Sequence, residues 1–409
     1  MAAGHSADWQ RITQHFVLEG KSVSIISRVA VHAFCYELED FGHNIMTYAK
    51  NGRLPVTKFV TVIETDDGLR GEFAPHYMAN AMTCAQVSQM APMLIGRNAE
   101  HRSRIFEDLK NAFRHFDRAG IAAIDGALWD LAGKKHNCSV AQLLGGYRDR
   151  IPAYASTFPG QSKPGGLDSV EAYADFAQQC RELGYPAFKI HGFWDGKPEN
   201  EIAVMTAVRE RVGDTMRLMT DPASSLPTFL DAIEVGRACD DLGFFWYEDP
   251  YRDASSSAFG QKKLRDFIKT PLLVSEHIRG FEQKADFLLA GGTDIVHIDP
   301  ELDGGITGTM KIAGFAEALG IDVQIHTAGP MHRHCLSAIV NTYYYEMGLV
   351  GPGMYNSMQP PIYTCGYGDQ LEDIDSDGCV SIPTGPGLGV TYDWDFITSK
   401  QTGVSEISG

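Results

Sequence analysis

Hydrophobic residues between positions 151 and 346 come in short runs that alternate with longer amphipathic stretches. From Lys189 to His326, the short runs end on charged or polar residues that lie 23 to 32 residues apart. Within each interval the apolar residues recur at helical spacing, and a glycine follows most of these stretches, as is common at helix ends. Repeated strand, loop and helix units are typical of parallel strands. The pattern predicts an α/β fold built on a modified (β/α)₈ TIM-type barrel.

Carboxylates end three successive predicted strands and form the first group of candidate site residues. They are Asp221, Glu248 and Glu276. The strand ends of such a barrel converge at one mouth, where catalytic groups collect. Like charges that close need a cation to stay ionised, and oxygen-only ligands suit a hard divalent ion, Mg²⁺ first among them. The competing interpretation is that each carboxylate caps the following helix or pairs with a nearby Lys or Arg.

Acid–base residues end the neighbouring strands. Asp299 and His326 end adjacent strands, and an Asp behind a His fixes the ring tautomer and raises its basicity. Lys189 and His191 lie two apart on one strand and therefore face the same way. Lys189 can stabilise negative charge, and His191 can serve as a second acid or base. The competing interpretations are a structural histidine and a polar layer that lines the barrel.

These groups fit one class of reaction. A metal ion holds a substrate carboxylate, a base removes the proton from the adjacent carbon, and an enediolate forms. Mg²⁺ and Lys189 would stabilise that enediolate, together with Glu346 as a protonated donor from the eighth strand. For Glu346 the competing interpretation is a plain core position, since three tyrosines precede it.

The rest of the chain predicts a second domain. Strand-like alternation over residues 23–39 and 57–64, followed by helical spacing over 85–135, indicates an N-terminal α+β capping domain. A final strand is expected at about residues 390–396. The predicted segments are a flexible arm (1–22), the capping domain (23–148), the barrel (149–375) and a C-terminal segment that returns to the capping domain (376–409).

Composition and charge exclude several kinds of partner. The chain of 409 residues is 44% hydrophobic and 21% charged, as in ordinary globular proteins. Its formal charge of −17 argues against nucleic acid and against an anionic membrane. The 8 cysteines include no CxxC pair, and neither a signal peptide nor a long uncharged apolar run is visible. We therefore expect a cytoplasmic protein with a small-molecule substrate.

Several motifs resemble those of the enolase superfamily, in its mandelate racemase subgroup. They lie at residues 123–130, 248–250, 299–307 and 385–390 and at His326. The resemblance implies a capping domain over a modified barrel, with loops at about 41–55 that close over the substrate. It also implies a homo-oligomer, either a dimer or an octamer.

The same resemblance assigns roles to the strand-end residues. It implies Asp221, Glu248 and Glu276 as Mg²⁺ ligands, the His326–Asp299 dyad as the base, and Glu346 as an electrophilic donor. Two positions depart from the family pattern. The second-strand motif, usually Lys-x-Lys, is Lys189-Ile190-His191 here, and Ala223 stands where an Asn is common. The first departure makes racemisation less favoured, since racemisation needs a competent base on both faces.

The leading hypothesis is a Mg²⁺-dependent dehydratase that acts on a sugar acid, an aldonate or aldarate, and forms a 2-keto-3-deoxy acid. His43 and Arg53, in the predicted cap loop, are the candidate substrate-binding residues. The alternatives are a cycloisomerase that opens a sugar lactone or anhydro-sugar acid through the same enolate, and an epimerase or racemase. A non-catalytic ligand-binding protein is the alternative from another class. The sequence leaves the sugar acid and its stereochemistry open, as well as the division of acid and base roles between His191 and His326.

Overall fold

The computed structural model describes residues 23–42, 51–161 and 163–409. The predicted arm over residues 1–22 lies outside these ranges.

The N-terminal part of the described chain consists of strands followed by helices. The strands are β1 (Ile26–Leu38), β2 (Leu54–Thr65) and β3 (Arg70–Phe73). Gly68 lies in the tight turn between β2 and β3 at a φ of +82°, a conformation that favours glycine. The helices are α1 (Ala81–Met90), α2 (Arg102–Ala112), α3 (Ala119–His136) and α4 (Val140–Leu143).

A barrel of parallel strands follows. Its strands are β4 (Arg150–Thr157), β5 (Ala187–Ile190), β6 (Arg217–Thr220), β7 (Trp246–Glu248), β8 (Leu272–Val274), β9 (Ile295–Ile298), β10 (Asp322–Ile325) and β11 (Tyr345–Val350). Neighbours pair in the order β10-β9-β8-β7-β6-β5-β4-β11. The gap between β10 and β11 is bridged where the Val323 amide donates to the Asn341 carbonyl at 2.7 Å. The strands thus form a nearly closed ring, and the predicted fold class is confirmed.

Helices connect the barrel strands. They are α5 (Val170–Leu183), α6 (Pro198–Val212), α7 (Phe229–Leu242), α8 (Ala258–Leu264), α9 (Phe281–Leu289), α10 (Gly305–Ala318) and α11 (Pro330–Ala338). Ser169 and Thr228 cap α5 and α7 by accepting hydrogen bonds from the amides of Ala172 and Asp231. None of the described helices is both long and apolar enough to cross a membrane.

The C-terminal segment contacts both parts of the molecule. It contains β12 (Cys379–Ser381), α12 (Trp394–Ser399) and β13 (Gln401–Ser408). β12 pairs with β4, whereas β13 pairs antiparallel with β1 and gives the cap sheet the order β13-β1-β2-β3. The strand predicted at about 390–396 is wrong, because Asp393 accepts a hydrogen bond from the Phe396 amide and starts a helix there. The domain boundaries stay predictions.

Helix α3 joins the cap to the barrel. On one side Gly126 lies so close to β3 that a Cβ atom would come within 2.8 Å of the Phe73 ring. On the other side the buried Asp125 accepts hydrogen bonds from the amide (2.9 Å) and hydroxyl (2.6 Å) of Thr307, on α10. The Trp129 indole donates to the same hydroxyl at 3.0 Å. The Thr307 hydroxyl therefore satisfies two polar groups of the cap, the buried Asp125 carboxylate and the partly buried Trp129 indole.

Replacing Thr307 with Val should lower the free energy of unfolding by about 2 kcal/mol, because the Asp125 carboxylate and the Trp129 indole each lose a partner. Thr309, also buried on α10, is the matched control. Its hydroxyl has no hydrogen-bond partner among the described residues. Thr309→Val should therefore be neutral within about 0.5 kcal/mol or slightly stabilising. Chemical denaturation measures both variants, and equal losses of stability would contradict this account of the interface.

Candidate active site

A cavity of about 400 Å³ opens at the C-terminal ends of the barrel strands. Its walls include Asp221, Glu276, His191 and His326 from the strand ends, and Tyr77 from the segment after β3. The structure therefore brings catalytic candidates from distant parts of the sequence to one chamber.

The carboxylates and Lys189 form a buried charged cluster beneath the cavity. Lys189 Nζ lies 2.7 Å from Glu248, 2.9 Å from Glu346 and 3.5 Å from Asp221. Although burial alone would lower the pKa of Lys189, these negative charges hold it well above its ordinary value. Burial raises the pKa of Glu248 well above its usual range, even with Lys189 beside it. One ammonium group thus does not neutralise the negative charge of the cluster.

Glu276 lies beside Glu248 in this cluster. An oxygen of Glu276, an oxygen of Glu248 and a ring nitrogen of His297 all lie within 4.8 Å of one another. A second set with the same spacing comprises Asp249, Glu276 and His277. Asp221 is linked to the first set through Lys189, whose ammonium contacts both Asp221 and Glu248. The donors that converge here are mainly carboxylate oxygens, the ligand type that suits a hard divalent cation.

The predicted dyad is assembled in this structure. His326 Nδ1 lies 2.7 Å from Asp299 Oδ2, and Nε2 lies 3.3 Å from Glu276 Oε1. Because a carboxylate only accepts, Nδ1 carries a hydrogen and Nε2 is directed at the carboxylate cluster. Burial lowers the pKa of His326, but the charge of Glu276 and the hydrogen bond to Asp299 outweigh it and raise the pKa to about 9.

His191 lies next to Asp221. Its Nε2 lies 2.8 Å from Asp221 Oδ2, and its Nδ1 lies 2.7 Å from the carbonyl oxygen of Thr157. The indole ring of Trp194 packs edge-on against the imidazole with 5.5 Å between ring centroids. His191 and His326 therefore line the same cavity, the first beside Asp221 and the second beside Glu276.

Glu346 accepts a hydrogen bond from the Thr327 amide at 2.6 Å. It also forms the ion pair with Lys189. Burial alone would raise the pKa of Glu346, but Lys189 and His326 hold it well below its ordinary value. These contacts favour the ionised carboxylate, whereas the predicted role as a proton donor needs the protonated form. The electrophilic role of Glu346 stays a prediction.

The two cap-loop candidates for substrate binding are His43 and Arg53. His43 lies outside the described residues. Arg53 is 61% exposed and pairs with Glu37 and Glu39 at 3.8 and 3.6 Å. It is not among the described residues that line the cavity, so its substrate-binding role stays a prediction. At the second departure from the family pattern, Ala223 presents only a methyl group to the cavity while its amide donates to Asp221 at 2.7 Å.

Two family models match most of this chain. The model described as "Enolase C-terminal domain-like" matches residues 172–396, and that described as "Mandelate racemase / muconate lactonizing enzyme, N-terminal domain" matches residues 52–145. The chain belongs to the enolase superfamily, in its mandelate racemase subgroup.

Individual relatives match this chain over most of its length. D-galactarolactone cycloisomerase of Agrobacterium fabrum is 31% identical over 350 residues, which are 82% of this chain and 89% of the relative. Arabinonate dehydratase of Saccharolobus solfataricus is 26% identical over 390 residues, 90% of this chain and 96% of the relative. The crystal structure of D-glucarate dehydratase from Agrobacterium tumefaciens, complexed with magnesium, has a TM-score of 0.80 at 30% identity, with 93% of this chain and 100% of that chain covered.

These comparisons confirm that this superfamily member is an enzyme. The names of the relatives support a lyase, with an isomerase as the alternative. The roles of the individual site residues remain predictions, because the comparisons match the chain as a whole.

The structure adds site residues that the sequence pattern did not single out. His297 lies two residues before Asp299 on β9, so the alternation of a strand could have placed it on the same face. The ring of Tyr77 packs edge-on against His326 with 4.8 Å between centroids. Tyr77 comes from the cap and is positioned by Glu301, whose carboxylate accepts hydrogen bonds from three successive amides, 76 to 78. No local sequence signal marks that contact.

The loop that carries Trp194 lies over a buried glutamate, Glu201. Trp194 has a φ of +54°, a strained conformation for a bulky residue. Beneath the loop, Glu201 on α6 is buried, and neither of its carboxylate oxygens has a hydrogen-bond partner among the described residues. A Cβ atom on Gly192 would come within 2.4 Å of this carboxylate. Burial, reinforced by the charges of Asp195 and Asp221, raises the pKa of Glu201 to about 8.

The raised pKa of Glu201 predicts a specific pH dependence of stability. Between its ordinary value of 4.5 and about 8, the folded state keeps a proton that the unfolded chain has lost. The Glu201 contribution to the free energy of unfolding therefore falls as pH rises through this window, by roughly 1 kcal/mol per pH unit. Glu201→Gln removes this contribution, so its gain in unfolding temperature over the wild type should grow from pH 5 to pH 8.

Thermal unfolding across this pH range measures the effect. Glu199→Gln, at an exposed position on the same helix, is the matched control and should follow the wild-type profile. Parallel profiles for Glu201→Gln and the wild type would show that Glu201 is ionised in the folded protein.

Proposed function

We propose that this protein is a Mg²⁺-dependent hydro-lyase that removes water from a sugar acid, an aldonate or aldarate, and forms a 2-keto-3-deoxy acid. The observation that carries the proposal is the placement of two imidazoles around one carboxylate cluster. His326 Nε2 lies 3.3 Å from Glu276, and His191 Nε2 lies 2.8 Å from Asp221. Relatives named as dehydratases support the reaction class.

The residues present fit a divalent cation. Asp221, Glu248 and Glu276 would hold it, because all three offer carboxylate oxygens and Lys189 alone does not offset their charge. The chemistry that Mg²⁺ supplies in such a site is stabilisation of negative charge on a substrate carboxylate. The magnesium named with the A. tumefaciens dehydratase structure supports this choice of ion.

Proton abstraction falls to the His326–Asp299 dyad. His326 Nε2 takes the proton from the carbon next to the substrate carboxylate. Asp299 accepts the Nδ1 hydrogen at 2.7 Å, which fixes the tautomer and stabilises the imidazolium that forms. The ammonium of Lys189 stabilises negative charge that develops near the carboxylate cluster.

Departure of the 3-hydroxyl as water requires a second proton transfer. His191 Nδ1 faces the Thr157 carbonyl oxygen at 2.7 Å and the Ser156 hydroxyl at 3.4 Å, and its Nε2 faces the Asp221 carboxylate at 2.8 Å, so a hydrogen on either nitrogen has an acceptor. We assign the donation of a proton to the leaving hydroxyl to His191. The carbon–oxygen bond breaks, and the enol that remains becomes the 2-keto-3-deoxy acid.

A cycloisomerase is the second candidate. D-galactarolactone cycloisomerase is 31% identical to this chain, and it supports a reaction that opens a lactone through the same enolate. Only the leaving group differs, since a ring oxygen rather than a hydroxyl would depart.

The homo-oligomeric state stays a prediction.

His326→Asn and Asp299→Asn should each lower kcat/KM by about 10³-fold or more, because the first removes the base and the second leaves the ring free to take the wrong tautomer. Proton NMR in D₂O with Mg²⁺ and pooled aldonic and aldaric acids measures product formation. His136→Asn is the control, because His136 pairs with Glu100 on the cap and should leave turnover unchanged.

The same NMR assay separates the proposed reactions. New 2-keto-3-deoxy signals support dehydration, whereas product of unchanged mass from a lactone or anhydro acid supports the cycloisomerase. Deuterium at carbon 2 without elimination would point to an epimerase. Full turnover by Asp299→Asn and His326→Asn would rule out the proposed base.

His191→Asn should separate the two proton transfers. We expect the variant to keep exchange of the carbon 2 proton with solvent deuterium, because His326 and Asp299 are intact. Elimination should fall by about 100-fold or more, because the leaving hydroxyl loses its acid. Exchange and elimination that fall together would contradict this division of roles.

A further inference from the structure

His297 is a buried polar group that the proposed reaction does not use. It lies on β9 and its side chain points into the barrel, with none of its surface exposed. Neither ring nitrogen has a hydrogen-bond partner among the described residues. An unsatisfied buried polar group of this kind is destabilising, so its retention here calls for a partner that is not engaged in the present geometry.

The nearest charged groups to its Nδ1 atom are two of the proposed cation ligands. Nδ1 lies 3.6 Å from Glu248 Oε1 and 3.9 Å from Glu276 Oε2. Both distances are slightly too long for a hydrogen bond. A small rotation of either carboxylate would therefore supply His297 with the acceptor that it lacks.

The His297 imidazole can serve these carboxylates as a hydrogen-bond donor at Nδ1. A neutral ring has one N–H donor and one lone pair. It can donate to a carboxylate without adding a second positive charge beside Lys189.

Glu248 and Glu276 differ in how firmly they are already held. Both Glu248 oxygens have donors, from Lys189 at 2.7 Å and from the Trp246 indole at 3.0 Å. Glu276 Oε1 faces His326 at 3.3 Å, whereas its Oε2 is the oxygen nearest to His297. A donor at Nδ1 would fix the rotation of Glu276 and tie it to Glu248.

We propose that His297 is a positioning residue for the cation site: its Nδ1–H orients the carboxylates of Glu276 and Glu248 toward a divalent cation without binding the cation itself. This inference rests on the cation site of the proposed function. Outer partners of this kind contribute roughly 10- to 100-fold to metal affinity. A carboxylate-only set of ligands also agrees with a preference for Mg²⁺ over softer metals.

Binding of Mg²⁺ alone, measured by calorimetry, tests the inference without a substrate. His297→Leu removes the donor at similar volume and should weaken Mg²⁺ binding by roughly 10- to 100-fold. His297→Gln keeps an N–H donor and should stay within about 3-fold of the wild type, a rescue that a purely packing role would not give. Thr309→Val, a buried substitution away from the cluster, should bind as the wild type does. Should His297→Leu fail to fold, His297→Asn takes its place, because its shorter amide does not reach the carboxylates.

Pulsed electron paramagnetic resonance of the Mn²⁺-loaded wild type gives a second readout. If His297 only positions the carboxylates, the spectrum should show no nitrogen bound directly to Mn²⁺. A strong ¹⁴N coupling that disappears in His297→Gln would instead show that His297 is a ligand, and it would overturn the inference. Equal Mg²⁺ affinity for the wild type and His297→Leu would also overturn it, with the cation site left intact. Lack of Mg²⁺ binding by the wild type would instead overturn the cation site of the proposed function, and this inference with it.

Discussion

The charge balance around Lys189 is the constraint on which the rest of the site depends. Its ammonium is fully buried and touches Glu248, Glu346 and Asp221, which arrive from three different strands. Removing one partner of such a buried group leaves an uncompensated charge, which is strongly destabilising. The parallel ring meets this constraint because it brings the carboxyl ends of all its strands to one mouth. Excess negative charge at that mouth is consistent with the proposed divalent cation.

The cap contributes to this mouth through a few long-range contacts. Glu301 lies two residues after Asp299 and accepts hydrogen bonds from the amides of residues 76–78, which place Tyr77 against His326. The Asp125–Thr307 bonds fix α3 against α10 on the same side of the barrel. The loop after β9 therefore serves two purposes, since it holds both the His326 ring, through Asp299, and the cap segment that packs against that ring.

Much of the barrel could be predicted from sequence, because strand ends that carry Asp221, Glu248, Glu276, Asp299 and His326 recur at a regular interval. Contacts that depend on tertiary structure could not be predicted in the same way. Tyr77 reaches the site through an acceptor 224 residues away, and His297 lies one layer below the strand ends, where a polar residue is easily taken for a core position. The final strand was misplaced because apolar residues at 390–396 fit a strand or a capped helix equally well, and the Asp393 cap decides for the helix.

The substitution of His for Lys in the second-strand motif changes what this side of the site can do. A lysine at position 191 would be a flexible point charge, whereas the imidazole is held at Nδ1 by the Thr157 carbonyl and at Nε2 by Asp221. Under the proposed function, this fixed ring donates a proton to the leaving group. On the other side, His326 is held at Nδ1 by Asp299 at 2.7 Å and has only a longer contact from Nε2 to Glu276, at 3.3 Å. These unequal contacts on the two faces support the proposed elimination, in which one proton is removed and a different group is protonated, over the symmetrical exchange of racemisation.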